Sequence, residues 1–372
     1  MRILHVFKLF YPDTYGGIEK FIHELSVAMA KKYDLDIHIL AMGKENRTIH
    51  KDFYTLHFAK TNLNIASTTF SLSAIKKFKE LAKQVDIIHY HFPYPYADLL
   101  QTICRANKPY IVTYHSNIIK QKRLMMLYKP LMRKFLNGAK YILPTSPNYL
   151  ETSEILREIK VPKKVIPMSL NKSDYNIDEE NYSHWKNNIG FEKFFIYIGG
   201  LRYYKGLDVL IDAMQGQDYP LVIVGDGDQR DLLEQKVKQN KLQNVKFVGA
   251  LDDKDKLSLL KLSYALVLPS NIRTEAFGLV LLEASMFAKP MITCEIGTGT
   301  TFVNINKQTG LVAKSDDTQD LAKKLNQLWQ DEQTAKDYGA SAKARFDDIF
   351  SLEEMVECYK SVYDEVIDSG VK

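Results

Sequence analysis

The chain has 372 residues, more than one hydrophobic core usually organises and about the size of two domains. Hydrophobic residues make up 45% and charged residues 26%, with 18 Gly and 12 Pro, which excludes collagen-like and broadly disordered chains. The net charge of +5 is unevenly divided: residues 1–180 hold 27 Lys and Arg against 17 Asp and Glu, or +10, and the remainder holds 23 against 28, or −5.

Met1-Arg2-Ile3-Leu4-His5-Val6-Phe7 opens as a strand and lacks the charged start and long apolar run of a signal peptide. Further strands are predicted at Asp36–Ala41, Val85–His89, Tyr110–Tyr114 and Tyr141–Pro144, with helices at Ile18–Lys31, Ser73–Lys83, Ala97–Ala106 and Asn148–Ile159. The second half repeats the pattern. Its strands are predicted at Phe194–Ile198, Leu221–Val224, Val245–Val248, Ala265–Leu268 and Met291–Cys294, and its helices at Leu207–Ala213, Gln229–Lys238, Lys254–Lys261, Leu279–Phe287 and Thr318–Gln330. Strand-then-helix alternation gives doubly wound parallel sheets, so the fold class is α/β with two Rossmann-like domains, residues 1–170 and 191–350. A polar linker over 171–190 joins them, and a last helix covers Ser351–Ile367. Cys104, Cys294 and Cys358 form no C-x-x-C pair, which argues against a disulfide scaffold or a zinc site and suits a reducing cytosol. No run of 18 uninterrupted apolar residues offers a membrane span.

Ligands of open α/β sheets lie beyond the carboxyl ends of strands, and four turns there carry candidate chemistry. Gly16-Gly17-Ile18-Glu19 opens a helix, where bare N–H groups and the helix dipole suit phosphate; a simple tight turn is the alternative. Gly199-Gly200-Leu201-Arg202-Tyr203-Tyr204-Lys205-Gly206 places two cations beside glycines, as a pyrophosphate clamp would, or as solvated surface charges. Val224-Gly225-Asp226-Gly227-Asp228 leaves room for a flat ring against backbone, while Asp226-x-Asp228 is better read as a helix cap than as a metal site. Glu275-Ala276-Phe277-Gly278-Leu279-Val280-Leu281-Leu282-Glu283-Ala284 sets two carboxylates around a helix start. They suit sugar and ribose hydroxyls; paired glycosidase carboxylates fit less well beside segments built for pyrophosphate.

These segments resemble glycosyltransferase family 4, retaining enzymes of the two-domain GT-B fold. The signature is Glu275-x7-Glu283, supported by Gly16-Gly17-Ile18-Glu19, Thr113-Tyr114-His115, Lys205-Gly206-Leu207-Asp208-Val209-Leu210, Val224-Gly225-Asp226-Gly227 and Thr309-Gly310-Leu311-Val312. They stand in the family's order along nearly the whole chain. Cys294-Glu295-Ile296-Gly297-Thr298-Gly299-Thr300 further resembles bacterial O-antigen and polysaccharide mannosyl- or rhamnosyltransferases. The resemblance implies two domains facing a cleft, with the last helix, 351–372, packed on the N-terminal one. It implies transfer of a sugar from a nucleoside diphosphate, GDP-mannose first and a UDP-sugar next, to a lipid-linked glycan. Glu275, Lys205 and His115 would be catalytic. Glu275 would hold donor hydroxyls near the N–H groups of Phe277, Gly278 and Leu279, Glu283 would hold the ribose, and Lys205 would neutralise the pyrophosphate. Gly16, Gly17, Gly225 and Gly227 would also line the donor site. The family's usual Arg position is Gly200 here, and Arg202 ranks behind Lys205. No cofactor and no metal are expected, since Lys and Arg supply the counter-charge. A nucleotide-sugar-binding module without turnover, and a GT-B epimerase or phosphorylase, are the rival readings.

From Leu99 to Leu150 there is no acidic residue and there are nine Lys or Arg. On a helical wheel Lys122, Lys129, Arg133 and Lys140 form one stripe, flanked by Met125, Met132 and Leu136, with Leu124, Leu127, Leu131 and Phe135 expected to face the core. Such a stripe suits an anionic membrane surface, and a solvated face is the alternative; Pro130 is expected to kink or divide the helix. No nucleic-acid motif or aromatic platform accompanies it. The expectation is a cytoplasmic enzyme, peripheral at the inner face of a bacterial cell membrane.

Overall fold

Two parallel sheets organise the chain, each built from apolar runs buried on both faces. The computed structural model describes residues 1–14, 16–66, 68–118 and 122–369. The chain divides into two units, one of Met1–Ser169 with the segment from Leu352 onward, the other of Leu170–Ser351.

The first unit carries β1 (Arg2–Val6), β2 (Asp36–Gly43), β3 (Arg47–His50), β4 (Thr55–Lys60), a separate hairpin of β5 (Leu63–Ile65) and β6 (Thr68–Phe70), then β7 (Ile87–Phe92), β8 (Tyr110–Tyr114) and β9 (Tyr141–Pro144). Among the described residues its main sheet has the order β3-β4-β2-β1-β7-β8-β9, with only β3 antiparallel. The second unit carries β10 (Phe195–Ile198), β11 (Leu221–Val224), β12 (Val245–Gly249), β13 (Ala265–Leu268), β14 (Met291–Glu295) and β15 (Gly310–Lys314), all parallel, in the order β12-β11-β10-β13-β14-β15. Each sheet reverses its winding direction once in a way that opens a crevice, between β1 and β7 in the first unit and between β10 and β13 in the second. Such switch points are where open α/β sheets take ligands.

Three expectations are corrected. Residues 171–190 are not a linker but part of the second unit. Helix Glu179–Asn188 there has no buried residue and is held by polar contacts: Trp185 Nε1 donates to Asp255 Oδ1 at 2.8 Å, and Lys254 pairs with Asp178 at 2.9 Å. A helix fastened this way shows no apolar stripe in the sequence. Next, helix Lys122–Asn137 runs through Pro130 without dividing. Its packed side is formed by Met132, Phe135 and Leu136, whereas Leu124 and Leu127 are 49% and 83% exposed. Phe135 packs as expected, but periodicity defines a helix's faces without fixing which one is covered, and here Met132 and Leu136, expected to flank the basic stripe, are buried with it. Finally, the basic stripe is partly neutralised. Glu158, from the following helix Glu154–Glu158, accepts from Arg133 Nε at 2.9 Å and lies 3.6 Å from Lys129 Nζ. The side chain of Lys122 lies outside the described residues; Lys140 is exposed.

The last helix, Leu352–Asp368, belongs to the first unit and buries Tyr359 and Tyr363 there. Among the described residues, no helix is long and apolar enough to cross a membrane.

Candidate functional site

In the second unit, the loop after β10 and the loop after β13 meet at the switch point. Gly206 makes this possible. Its φ is +67°, and a Cβ there would stand 2.1 Å from the carbonyl oxygen of Pro269, so only glycine allows the two backbones to touch. Asn271 N then donates to Tyr204 O at 3.1 Å. The approach brings Lys205 Nζ onto Glu275 Oε2, with both side chains nearly buried. Ser270 Oγ donates to the same carboxylate oxygen at 3.1 Å.

Helix Leu279–Met286 begins immediately beyond, after Gly278, and has no side-chain cap, so its first N–H groups are placed to meet a ligand oxygen. Phe277 is buried, its ring 6.2 Å from Phe350. Within that helix, buried Glu283 pairs with Lys256 Nζ at 3.1 Å. Burial opposes the charge on Lys256, but Glu283 and Asp253 outweigh it and hold the ammonium above its ordinary range. Arg202 points elsewhere: it is exposed and lies 3.3 Å from Asp228.

The turn at Gly225 and Gly227 differs from the expectation of open space. A Cβ on Gly225 would lie 2.0 Å from Gly199 O, and one on Gly227 would lie 2.4 Å from Leu201 O. The glycines let this turn pack on the 199–201 loop, so backbone fills the side expected to receive a ring. They still shape the site, because Leu201 N donates to Asp226 O at 2.9 Å and so holds the loop that carries Lys205.

In the first unit, Gly16 precedes helix Gly17–Tyr33. The side chain of Glu19 folds back over it: a Cβ at Gly16 would lie 2.5 Å from Glu19 Oε2, and Thr14 Oγ1 donates to Glu19 Oε1 at 3.1 Å. A carboxylate therefore already sits at the helix start where an anion was expected, which its dipole favours. His115 follows β8 and is buried; burial pulls its imidazole down to about 3. Its Nε2 lies 3.1 Å from Nδ1 of His91, and its Nδ1 has no hydrogen-bond partner among the described residues. His5, His89 and His91 adjoin it, with ligand atoms within 4.8 Å of one another. That spacing suits a metal ion, but hydrogen bonds to neighbours occupy both nitrogens of His89 and of His91, so the trio is poorly prepared to bind one.

A family model described as glycosyl transferases group 1 matches residues 179–345, and one described as glycosyltransferase family 4 matches residues 15–170. The O-antigen chain mannosyltransferase C of Escherichia coli is 41% identical over 370 residues, covering 99% of this chain and 100% of that one. The chain is a family 4 glycosyltransferase. The D-rhamnosyltransferase WbpZ of Pseudomonas aeruginosa is 42% identical over 354 residues, 94% of this chain and 92% of that one. Among solved structures, a sucrose-phosphate synthase from Thermosynechococcus elongatus aligns with a TM-score of 0.80 at 20% identity over 99% of both chains, and shows the GT-B fold. The chain is thus a hexosyltransferase built from two Rossmann-like halves.

Of the residues singled out in the sequence of this glycosyltransferase, the fold brings Lys205 and Glu275 together and places Phe277, Gly278, Leu279 and Glu283 around the following helix. It leaves Arg202 on Asp228. Sequence reasoning missed Ser270, Lys256, His5, His89 and His91. The alternation His89-Tyr90-His91 in a predicted strand was a usable signal, since it puts two imidazoles on one face. Lys256 gave none.

Proposed function

We propose that this glycosyltransferase moves a sugar, with retention, from a nucleoside diphosphate, GDP-mannose in first place, to a lipid-diphosphate-linked glycan during assembly of an O-antigen or similar bacterial surface polysaccharide. The observation that carries the donor half of this reading is the largely buried Lys205–Glu275 pair at the β10/β13 switch point. A charged pair held out of water is costly unless satisfied, and a nucleotide sugar offers each member a replacement: phosphate oxygens for Lys205, sugar hydroxyls for Glu275. As the bond from sugar C1 to the diphosphate breaks, negative charge grows on the leaving phosphate. Lys205 and the N–H groups at the start of helix Leu279–Met286 would stabilise it, each such donor being worth about 2.7–4 kcal/mol. Glu283, held by Lys256, would accept from the ribose, and His115 would contact the donor sugar. The acceptor hydroxyl would attack from the leaving-group side and give its proton to a donor phosphate oxygen, with no protein nucleophile and no divalent metal. The choice of mannose and of an O-antigen acceptor follows the Escherichia coli relative, an O-antigen chain mannosyltransferase; the Pseudomonas aeruginosa relative, a D-rhamnosyltransferase, supports a hexose donor without choosing mannose.

The lipid part of the acceptor is supported by an apolar groove of about 340 Å³ in the first unit. Phe70, Pro95, Leu99, Leu124 and Leu127 line it, on segments that leave the carboxyl ends of β4, β7 and β8. Leu127 is exposed, as are Met126 on the same helix and Leu63, which pairs with Phe70 across the β5–β6 hairpin. Exposed apolar side chains gathered at a groove suit an interaction surface, and Lys129 and Arg133 on the same helix would meet anionic headgroups, weakened by Glu158.

A release assay with GDP-mannose, other GDP-sugars and UDP-sugars tests the donor, and flotation with and without anionic lipid tests the surface. Release of GDP on addition of a lipid-diphosphate glycan, together with stronger flotation on anionic vesicles, is the expected result. Release of UDP only, with turnover on a soluble acceptor and no flotation, would replace this reading with a UDP-sugar enzyme acting in free solution. Binding without release would make the chain a nucleotide-sugar-binding module.

A further inference from the structure

The first switch point is filled by imidazoles. Alternation along β7 sends His89 and His91 to one face, the register of β1 sets His5 beside His89, and His115 follows β8. His5, His91 and His115 form a stacked row, with ring centroids 5.2 Å and 5.4 Å apart and planes inclined by 17° and 25°. Its hydrogen bonds run head to tail: His5 Nδ1 to His91 Nε2 at 3.0 Å, and His91 Nδ1 to His115 Nε2 at 3.1 Å. Phe21 walls the row, its ring edge-on to His91 and His115. His89 lies outside it, bonded to Thr113 Oγ1 and Tyr363 Oη, each at 2.7 Å. The two end nitrogens, His5 Nε2 and His115 Nδ1, are buried and have no hydrogen-bond partner among the described residues.

Charging any member would place a cation in an apolar interior, and burial draws all three well down, His5 and His115 to about 3. A neutral imidazole has one N–H and one lone pair. In a head-to-tail row each link needs one of each, so the hydrogens are set together: either all three Nδ1 atoms carry them or all three Nε2 atoms do. Among the described residues His5 Nε2 has no onward partner, so the row leads a proton to no further protein group. Its geometry is suited to orienting a hydrogen.

We propose that His5 and His91 are positioning residues for His115, fixing its ring and which of its nitrogens carries hydrogen, and hence whether Nδ1 meets a ligand oxygen as donor or as acceptor. The consequence for transfer rests on the reading of His115 as a sugar contact; the row itself does not.

The test is a nitrogen-15 spectrum of the full-length protein with labelled histidine rings, resonances being assigned through single His→Gln variants. At neutral pH the rings of His5, His91 and His115 should share one tautomer and remain neutral down to about pH 5, well below an ordinary histidine. Opposite tautomers within the row, or a charged His115 near pH 6, overturn the proposal. His91→Leu should leave His115 in both tautomers, and His91→Gln, whose carboxamide accepts and donates, should restore a single one. With GDP-mannose as donor, His91→Leu should lower kcat roughly 10- to 100-fold while the donor KM moves less than about threefold. An unchanged kcat overturns the link to catalysis. The wild-type spectrum needs no substrate, so a failure of the enzyme to use GDP-mannose counts against the donor reading and not against the row.

Discussion

The two switch points hold polar groups out of water by opposite means. In the second unit, largely buried charges cancel in pairs, Lys205 with Glu275 and Lys256 with Glu283. In the first, imidazoles stay uncharged and bond to one another and to Thr113 and Tyr363. Both arrangements avoid a lone buried charge, but they answer different disturbances. A charged ligand can take the place of either partner in an ion pair. A neutral row has nothing to exchange; what disturbs it is acid. Under the proposed function, one unit would neutralise a diphosphate while the other would hold a fixed hydrogen-bonding edge.

The largest effect should come from opening the principal pair. Lys205→Ala and Glu275→Ala should each lower transfer by at least about 10²–10³-fold, with the α/β circular dichroism spectrum kept. Each should also lose stability, because a buried charge is left alone. The double variant Lys205→Met with Glu275→Gln should regain stability but not turnover. Near-normal turnover in either single variant would remove the pair from the mechanism.

Lys256→Met should act more mildly and on binding. It frees Glu283 from its partner without touching the reacting atoms, so the donor KM should rise about tenfold, equivalent to about 1.4 kcal/mol, with kcat within about twofold. A fall in kcat at constant KM would contradict a binding role.

Acid should separate the units. His5, His89, His91 and His115 are held below the ordinary histidine range by burial, and His57 is pulled down to about 4, burial again leading. The unfolded chain takes up protons below about pH 6.5 that the folded first unit refuses until far lower. Its stability should therefore be complete above about pH 6.5 and fall as the pH drops, by up to about 1.4 kcal/mol per pH unit for each such histidine. The groups packed on the row, Phe21, Thr113, Tyr359 and Tyr363, carry no charge at these pH values. The second unit has a single, exposed histidine, His184. Amide exchange at about pH 7 and pH 5 should show protection lost mainly in the first unit; equal losses would contradict the contrast.

How much of this the sequence disclosed depended on the distance over which each feature is encoded. Glu275, Phe277, Gly278 and Glu283 lie in one ten-residue segment, so strand, turn and helix start could be read together, and Lys205 stood out beside its glycines. The α/β class followed from alternation alone. What escaped was supplied by a second segment. Lys256 reaches Glu283 from another helix, Glu158 reaches back to Arg133 from beyond the acid-free stretch, and His5 finds His91 only once β1 and β7 pair. Leu124 and Leu127 were misassigned because a wheel orders faces without telling which one meets a sheet. The polar helix Glu179–Asn188 passed for a linker because Asp255, which fastens it, is some seventy residues away in sequence.

The most direct test of the central claim is donor turnover in the presence of chelator. Wild-type protein, GDP-mannose and a lipid-diphosphate-linked glycan are combined with excess EDTA, and released GDP is measured beside the Glu275→Ala and Lys205→Ala variants. The wild type should release GDP at its chelator-free rate, and either variant almost none. Release that requires Mg²⁺ or Mn²⁺, or that survives loss of Lys205, would contradict that claim.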